Sequence, residues 1–461
     1  MKPFTIELDN SSSRPLYVQL YDYLKREITK RNIAAGEKLP SLRRLAREQG
    51  ISITTAAGAY NQLLVEGYIT SRPQSGYYVA EVGSGSGGEG EAPENFDFDT
   101  YPFEEPEYKY DLSSFDFVKW KKCMAKVLTE HPDLLLSESD PQGERVLRHE
   151  ISRYVYTSRG VRCTPEQIVI SAGTQQLTNH LARIMRRMHI DHVATEDPGY
   201  LPVQSIFRDL GFGMTKVPVK EDGIVIEKLP VNIPSAVYVS PSNQFPTGSV
   251  MPVGRRYRLL EWARENNSII LEDDYDSELR YFGKPVPSLQ GLDSGDHVVY
   301  FGSFSSTLFP AIKISYMILP PGMARIFGQI KKDYDQTCSK EEQLTLAMFM
   351  EKGYYYTNIR KLRNLYAQKL HAVLSAFEKY ADGFVRPLNT RSGINITLQV
   401  HTALPPEELS RRAAQLAIHV SPVARLTHRE TAALIFYYNQ IPLEEIDSLI
   451  REMVRSWRTD A

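Results

Sequence analysis

The chain has 461 residues, of which 42% are hydrophobic and 24% are charged, and its formal net charge is -2 at pH 7. This ordinary globular composition can bury at least one large core and favours division into two or more domains. The small net charge excludes a nucleic-acid surface spread over the whole molecule, so any such surface must be local.

The cysteines and the apolar runs narrow the class of protein further. Cys123, Cys163 and Cys338 are odd in number and far apart, which fits neither a disulfide framework nor a metal-ligand spacing. The N-terminal residues lack the apolar core of a signal peptide, and no later stretch approaches the ~18 apolar residues of a membrane span. We therefore expect a soluble cytoplasmic protein with no metal site and no membrane association.

The first 80 residues carry the signals of three helices. A stripe of apolar side chains spaced four residues apart predicts a helix over about residues 15–31, and its members are Leu16, Leu20, Leu24 and Ile28. Ser41 is a good N-cap for a short second helix that ends at Gly50. Ser52 is placed to cap a third helix, which ends near Gly67.

Two short predicted strands, residues 68–71 and 77–79, follow the third helix. The turn RPQSG between them makes a wing. Two short helices separated by a tight glycine-containing turn meet the requirements of helix-turn-helix geometry, in which the second helix enters the major groove of DNA.

These segments carry a family resemblance. PLYVQLYDYLKREI, LPSLRRLA and AYNQLLVEGYITSRPQSGYYV resemble the winged-helix domain of GntR-type regulators over essentially all of residues 1–80. The resemblance implies binding to double-stranded operator DNA, and arginine and hydroxyl side chains at helix N-termini suit the phosphate contacts that fix register. The residues implied to approach DNA are Ser41, Arg43, Ser52, Thr54, Thr55, Gln74, Ser75 and Gly76.

Charge supports this interpretation, while one position departs from the family pattern. Residues 1–80 contain eleven Lys and Arg against seven Asp and Glu, which leaves about +4. Many family members have arginine after the capping serine, whereas this chain has Ile53, so one phosphate or base contact is expected to be missing. An isolated Arg43 and Arg44 pair would more often be a solvated helix face, but the surrounding pattern favours DNA binding.

A polar segment separates the predicted reader from the rest of the chain. Residues 81–110 contain nine acidic residues against the single Lys109, and residues 83–91 read GSGSGGEGE. This composition is too polar to form a core and predicts a flexible acidic linker. The remaining residues, 111–461, are predicted to form one domain with a large lobe over about 111–340 and a small lobe over about 341–461.

The pattern of elements changes within that domain. Strand-like runs at residues 168–170, 236–240, 269–271 and 298–301 alternate with helix-length segments, which predicts a mostly parallel α/β sheet. From residue 340 the pattern predicts a long helical stretch to 380, a strand at 393–400, a helix at 406–415, a strand at 433–438 and a helix from 443. This second pattern predicts a smaller α+β lobe.

Five motifs follow strands of the α/β region. They are ISAGTQQ at 170–176, EDPGY at 196–200, SPSNQFPTG at 240–248, LEDDYDSELRY at 271–281 and GSFSSTLFPAIKISY at 302–316. The first opens a helix from a small, hydroxyl-rich turn, so its backbone N–H groups can hold an anion. In order and spacing the motifs resemble fold-type I aminotransferases, specifically regulators of the MocR subfamily. The resemblance implies a pyridoxal-phosphate-dependent transferase-like fold from residue 110 onward.

The resemblance also implies a site for the phosphate of pyridoxal 5'-phosphate. Gly173, Thr174, Ser303 and Ser305 match phosphate-binding positions, where hydroxyl and amide groups suit a dianion. Lys313 stands where the family usually has an arginine. It can supply positive charge to the phosphate but no bidentate fork.

A second set of positions matches contacts to the cofactor ring. Tyr200 matches the aromatic side chain that stacks on the pyridine, and Asp273 matches the carboxylate that keeps the ring nitrogen protonated. Tyr275 matches the phenol near the ring oxygen. Asn243 and Gln244 both stand where a donor to that oxygen is expected, and the extra residue before PTG leaves the choice between them open.

Ser306 is the decisive departure from the family. The family pattern S-F-S-K-T supplies the lysine that forms a Schiff base with the cofactor aldehyde, whereas residues 303–307 read SFSST. A serine hydroxyl cannot form an imine, and no substitute general base stands at that position. Pyridoxal phosphate is therefore expected to bind at most non-covalently, and efficient transamination is not expected.

These observations leave three hypotheses. In the first, the chain is a DNA-binding transcription regulator whose aminotransferase-like domain senses pyridoxal phosphate, an amine or an amino acid. The alternative is a pyridoxal-phosphate-dependent aminotransferase with a DNA-binding appendage, which Ser306 disfavours. In the third, the sensor binds a cofactor-free ligand.

The resemblance further implies a homodimer, because aminotransferase-type sites are usually completed by a partner subunit and helix-turn-helix readers commonly bind paired half-sites. An arginine of the small lobe is expected to hold the carboxylate of an amino-acid effector through two parallel hydrogen bonds. Arg425 and Arg391 are the candidates, and Arg425 is preferred.

Overall fold

The computed structural model describes residues 8–9, 14–81, 98, 107–281, 287–294, 296–390, 393–423, 426–427 and 430–458. The chain divides into two compact units, Met1–Phe103 and Glu104–Ala461. Most of the predicted linker lies outside the described residues, so that assignment stays a prediction. Among the described helices, none is long and apolar enough to cross a membrane.

The first unit is built from three helices and a hairpin. Their bounds are α1 (Leu16–Thr29), α2 (Leu42–Gln49), α3 (Ile53–Val65), β1 (Ile69–Arg72) and β2 (Gly76–Val79). The strands pair antiparallel, with Ile69 opposite Val79. Three of the four residues of the predicted apolar stripe, Leu20, Leu24 and Ile28, are buried in the core of this unit. The fourth, Leu16, is half-buried.

Both predicted capping serines lie at helix N-termini. Ser41 Oγ accepts a hydrogen bond from the backbone N–H of Arg44 at 3.3 Å, and Ser52 Oγ accepts one from Thr55 at 3.0 Å. Each bond satisfies a backbone donor that the first helical turn leaves without a partner. Gly50 ends α2 with a φ of +65°, a left-handed conformation that glycine adopts at little cost.

The large lobe of the second unit alternates strands with helices. Its elements are α4 (Phe117–Glu130), α5 (Arg145–Arg159), β3 (Ile168–Ala172), α6 (Gly173–Arg187), β4 (His192–Asp197), α7 (Leu201–Asp209), β5 (Gly213–Lys220), β6 (Gly223–Ile224), β7 (Ala236–Val239), α8 (Val253–Glu265), β8 (Ile269–Asp273), α9 (Leu289–Leu292), β9 (Val298–Ser303), β10 (Ile314–Ile318), α10 (Pro321–Ile330) and α11 (Lys340–Glu351).

Among the described residues, eight of these strands form one sheet in the order β3-β10-β9-β8-β7-β4-β5-β6. The pairs from β9 through β8, β7 and β4 to β5 are parallel, whereas β10 is antiparallel to both of its neighbours. Ile168 and Ile170 face one apolar cluster while Val169 faces another, because successive strand side chains point to opposite faces. The predicted mostly parallel α/β sheet is confirmed.

The small lobe follows with α12 (Tyr354–Ala381), β11 (Val385–Leu388), β12 (Ile396–His401), α13 (Pro406–Ala414), β13 (Val420–Pro422), β14 (Thr431–Phe436) and α14 (Ile446–Arg458). Its strands form an antiparallel sheet in the order β11-β12-β14-β13, which confirms the α+β pattern. The single helical stretch predicted over residues 340–380 is wrong in detail. Gly353, with a φ of +72°, separates α11 from α12.

Candidate functional site

The candidate DNA-contacting residues of the first unit lie on one helix-turn-helix and its wing. The side chains of Ser41 and Arg43 at the start of α2, and of Ser52 and Thr54 at the start of α3, are exposed. Thr55 is half-buried, and its hydroxyl lies 2.8 Å from Ser52 Oγ. The described residues offer Arg43 no ion pair, so its guanidinium is available for another partner.

The wing adds one basic side chain that was not predicted from the sequence. The turn between β1 and β2 contains Gln74, with a φ of +59°, and Gly76, with a φ of +108°, and Ser75 Oγ lies 2.6 Å from the Tyr78 hydroxyl. Arg72 lies over the ring of Tyr78, 4.4 Å from its centroid. Alternation in the short strand could have predicted Arg72, because only one of its faces packs on the core.

A cavity of about 650 Å³ in the second unit brings together most of the predicted cofactor residues. It lies where β3, β4, β7, β8 and β9 end, the edge at which parallel α/β sheets place their ligand sites. The predicted residues that line it are Gly173, Thr174, Tyr200, Asp273, Tyr275, Ser303, Ser305, Ser306 and Lys313.

One end of the cavity is rich in hydroxyl groups and backbone N–H groups. Gly173 begins α6 with a φ of +85°, a conformation that favours glycine, and Thr174 follows it. Ser303 Oγ accepts hydrogen bonds from the backbone N–H of Ser305 at 3.3 Å and from Ser315 Oγ at 3.0 Å. A helix N-terminus with several hydroxyls around it is suited to an anion.

Asp273 lies at another wall of the cavity, as the last residue of β8. Its side chain is buried and accepts a hydrogen bond from the Tyr238 hydroxyl. Burial raises the pKa of Asp273 to about 6, although the Tyr238 hydrogen bond opposes this effect. The carboxylate is therefore ionised at neutral pH and able to accept a hydrogen bond from a cationic ring N–H.

The structure places the side chains of Asn243 and Gln244 in different surroundings. Asn243 Nδ2 donates to Asp276 Oδ2 at 2.6 Å and lies 3.3 Å from the Tyr275 hydroxyl oxygen. Gln244 points into the protein, where its Nε2 donates to Glu196 Oε2 at 3.1 Å and to the Pro198 carbonyl at 2.9 Å. Asn243 thus stands beside the Tyr275 phenol, and Gln244 ties the loop after β7 to the EDPGY loop.

Ser306 lies on the cavity wall, and its hydroxyl donates a hydrogen bond to the Tyr275 carbonyl oxygen at 2.6 Å. That bond directs the hydroxyl proton to the backbone. Lys313 also lines the cavity, with an exposed side chain and a left-handed backbone at a φ of +49°.

A buried ion pair involves Asp274, the residue that follows Asp273 in the chain. Arg159, at the end of α5, donates from Nε to Asp274 Oδ2 at 2.7 Å, and both side chains are almost fully buried. Burial alone would raise the pKa of Asp274, but the charge of Arg159 and the Tyr300 hydroxyl outweigh it and lower that pKa. Arg159 also donates to Ser242 Oγ at 2.8 Å. It thereby holds the residue after Asp273 against the loop that carries Asn243.

Several residues at this site were not predicted from the sequence. Ser315, Asn395 and Tyr437 line the cavity, and Tyr238 donates to Asp273. Ser315 belongs to the motif GSFSSTLFPAIKISY, and that membership was a usable signal for it. Arg391 and Arg425, the two candidates for an effector carboxylate, lie outside the described residues. Among the described residues, no group of three or more His, Cys, Asp and Glu side chains is placed to hold a metal ion.

Two family profiles match the chain. Bacterial regulatory proteins of the gntR family match residues 16–79, and aminotransferase class I and II matches residues 102–386. Among solved structures, the second unit is similar to LysN, the α-aminoadipate aminotransferase of Thermus thermophilus, complexed with N-(5'-phosphopyridoxyl)-L-leucine. The two sequences are 25% identical and the structures superpose with a TM-score of 0.65, over 76% of this chain and 90% of that one. Pyrococcus horikoshii kynurenine aminotransferase has the same fold, with a TM-score of 0.64 at 23% identity, over 76% and 90% of the two chains.

Full-length relatives combine the same two parts. The chain is 37% identical to the uncharacterized HTH-type transcriptional regulator YdeL of Bacillus subtilis, with 98% of each chain covered. It is 30% identical to the probable rhizopine catabolism regulatory protein MocR of Rhizobium meliloti, over 91% of this chain and 88% of that one. These matches confirm both resemblances found in the motifs. The chain belongs to the gntR family of bacterial regulatory proteins, in the group of HTH-type transcriptional regulators, MocR among them, that carry an aminotransferase class I and II domain.

Proposed function

We propose that this DNA-binding transcription regulator senses pyridoxal phosphate, or an amine or amino acid presented together with it, without a covalent bond between cofactor and protein. The observation that carries the proposal is Ser306. By the resemblance it stands at the position of the family lysine, it lines a cavity together with most of the matched residues, and its hydroxyl donates to a backbone carbonyl.

The chemistry of the cavity fits the cofactor. Hydroxyl groups and the N-terminus of α6 lie at one end, where a phosphate dianion is suited, and Lys313 adds positive charge. Asp273 offers a buried carboxylate to a protonated ring nitrogen, and Tyr200 offers an aromatic face. When bound, pyridoxal phosphate supplies an electron-withdrawing ring and an aldehyde that reacts with amines.

The energies of these contacts support reversible binding. Charge-assisted hydrogen bonds contribute about 1.5–3 kcal/mol each, and the matched positions could supply about four of them. Micromolar affinity needs about 8 kcal/mol net of the costs of binding. We therefore expect a dissociation constant near the micromolar range, with no gain from a covalent bond.

Transamination is the main alternative function, and Ser306 argues against it. The family lysine normally also moves the proton between carbon atoms, and among the described residues that line the cavity Lys313 is the only one with a side-chain amine. Lys313 belongs to the predicted phosphate end, so we do not assign that role to it. A sensor for a cofactor-free ligand is the second alternative, and it would leave Asp273 without its proposed partner.

The carboxylate of an amino-acid effector would be held by Arg425, with Arg391 as the second choice, because a guanidinium binds a carboxylate through two parallel hydrogen bonds. The regulator would bind its operator as a homodimer. PdxR of Corynebacterium glutamicum, named a pyridoxine biosynthesis regulator, is 29% identical over 83% of each chain, and this likeness supports a ligand of the vitamin B6 class.

Equilibrium dialysis of the full-length protein against pyridoxal phosphate, paired with a coupled assay using common amino donors, tests the proposal. We expect reversible binding near the micromolar range and no amino transfer above the rate without protein. Turnover of an amino donor would favour the enzyme. The absence of binding at millimolar pyridoxal phosphate would favour the cofactor-free sensor.

A further inference from the structure

Three aromatic rings form a continuous stack that begins at the cavity. Tyr437 lines the cavity, and its ring stacks on His419 with centroids 4.2 Å apart and planes 15° apart. Tyr108 stacks on the other face of His419, with ring centroids 4.4 Å apart and planes 13° apart. Burial lowers the pKa of His419, so the central ring is neutral at pH 7.

Tyr108 belongs to a short stretch, residues 107–111, that we call the anchor segment. In the sequence, the anchor segment comes after the DNA-binding unit. It packs on the small lobe. The backbone N–H of Lys109 donates to the Ala417 carbonyl at 2.9 Å, and Lys109 Nζ lies 2.5 Å from Glu445 Oε2. Tyr108 and Lys109 are thus held to the small lobe by the ring stack, by this backbone hydrogen bond and by this ion pair.

The far end of the anchor segment is held differently. Asp111 pairs with Lys369 at 2.7 Å, and both side chains are almost fully buried. Lys369 Nζ also donates to the Asn439 carbonyl at 2.7 Å. Because a buried ion pair is costly to separate, Asp111 is the fixed end of the anchor segment, and any detachment would involve the residues before it.

We propose that Tyr437, His419 and Tyr108 form a relay through which occupancy of the cavity controls docking of the anchor segment. The inference rests on the proposed function, because it requires a ligand in the cavity. A ligand that covers the cavity side of Tyr437 restricts this ring, and the restricted ring offers a better-ordered surface to His419 and then to Tyr108.

Docking of the anchor segment sets the point at which the chain that leads back to the DNA-binding unit leaves the small lobe. Detachment of four residues before Asp111 adds up to about 14 Å of extended chain, which lowers the effective concentration of one tethered reader beside another. Couplings between sites of about 5- to 150-fold are typical of allosteric proteins. The relay would thus convert binding in the cavity into a change in DNA binding without a contact between ligand and reader.

Hydrogen exchange of the full-length protein, with and without pyridoxal phosphate, tests the relay. Exchange at residues 173–176 reports binding, and exchange at the Lys109 amide reports docking. In the wild type we expect pyridoxal phosphate to slow both, the second by about fivefold or more. Tyr108→Leu should keep the first effect and lose the second, whereas Tyr110→Leu, which changes a ring that is 57% exposed, should keep both.

A second pair of variants separates stacking from simple loss of packing. His419→Phe keeps a flat ring and should retain the effect at Lys109, whereas His419→Leu should lose it. The relay is wrong if Tyr108→Leu or His419→Leu retains the slower exchange at Lys109, or if the wild type shows protection at residues 173–176 alone. If pyridoxal phosphate protects neither segment of the wild type, the proposed function fails, and the relay fails with it.

Discussion

Asp273 is the residue whose ionisation is expected to govern cofactor binding. Burial raises its pKa to about 6, so the carboxylate is ionised at pH 7.5 and largely protonated at pH 5. The ionised form accepts a strong hydrogen bond from a protonated ring nitrogen, and the neutral form does not. We therefore expect the affinity for pyridoxal phosphate to fall as the pH is lowered through about 6.

Asp273→Asn isolates this effect. At pH 7.5 the substitution should weaken binding by about 10-fold or more, because a charge-assisted hydrogen bond contributes about 1.5–3 kcal/mol. The phosphate of the cofactor also titrates near pH 6, but it does so with both proteins. Calorimetric titrations at several pH values should therefore give profiles that converge at low pH. Parallel profiles would contradict the assignment.

Arg425 is expected to connect an amino-acid effector to the regulator. Arg425→Ala should abolish the change in DNA affinity produced by pyridoxal phosphate plus a panel of amino acids, while the affinity without ligand stays unchanged. Fluorescence anisotropy with labelled DNA measures both quantities. Arg391→Ala is the matched variant, and a normal response in Arg425→Ala with a lost response in Arg391→Ala would reverse the assignment.

The sequence predicts the cavity residues that belong to motifs, since each motif follows a strand and the strands end at one edge. It does not predict the stack of Tyr437, His419 and Tyr108, because Tyr108 lies more than 300 residues before the other two rings and meets them only in the folded chain. It also could not choose between Asn243 and Gln244. The two residues differ because the side chain of Gln244 forms hydrogen bonds to the EDPGY loop, which the sequence does not show.

At the scale of single elements, α2 supplies a testable contact to DNA. Arg43→Ala should weaken binding to a DNA fragment selected by the wild-type protein by about 1–3 kcal/mol. Arg44 is the matched control, because it is also exposed but pairs with Glu48 at 2.6 Å. Its replacement by alanine should cost no more than about 0.5 kcal/mol.

Salt dependence distinguishes a phosphate contact from another role of Arg43. The affinity of the wild type should fall steeply with added salt through counterion release, and Arg43→Ala should reduce that slope by about one unit. An affinity that does not change with salt would contradict a phosphate-contacting surface. Equal losses of DNA affinity in Arg43→Ala and Arg44→Ala would indicate a general effect of positive charge and no specific contact of Arg43.

Helices and strands with a regular apolar repeat in the sequence were predicted more accurately than elements whose bounds depend on tertiary contacts. The four-residue repeat in α1 places Leu20, Leu24 and Ile28 in the core as expected. The break between α11 and α12 was missed, because a single Gly353 within an apolar, helix-favouring stretch carries little signal until its positive φ is seen. The three-residue β13 was missed because it is too short to show alternation.

At the scale of the whole molecule, the net charge of -2 gives no global attraction to DNA, so pairing of readers matters. We expect a homodimer formed through the second unit, because two tethered readers on paired half-sites gain effective concentration. Multi-angle light scattering at micromolar concentration should return about twice the monomer mass of 52.5 kDa. A monomer under those conditions would count against the dimer.

The central claim is that the chain retains a pyridoxal-phosphate site from which Ser306 has removed only the covalent function. Ser306→Lys tests it most directly, by intact-mass spectrometry after incubation with pyridoxal phosphate, reduction with sodium borohydride and denaturation. We predict that the lysine variant gains the mass of one phosphopyridoxyl group and that the parent gains none. A lysine variant without added mass would mean that the cavity has diverged beyond this residue. A parent that gains the mass at Lys313 or another lysine would mean that the chain binds the cofactor covalently after all.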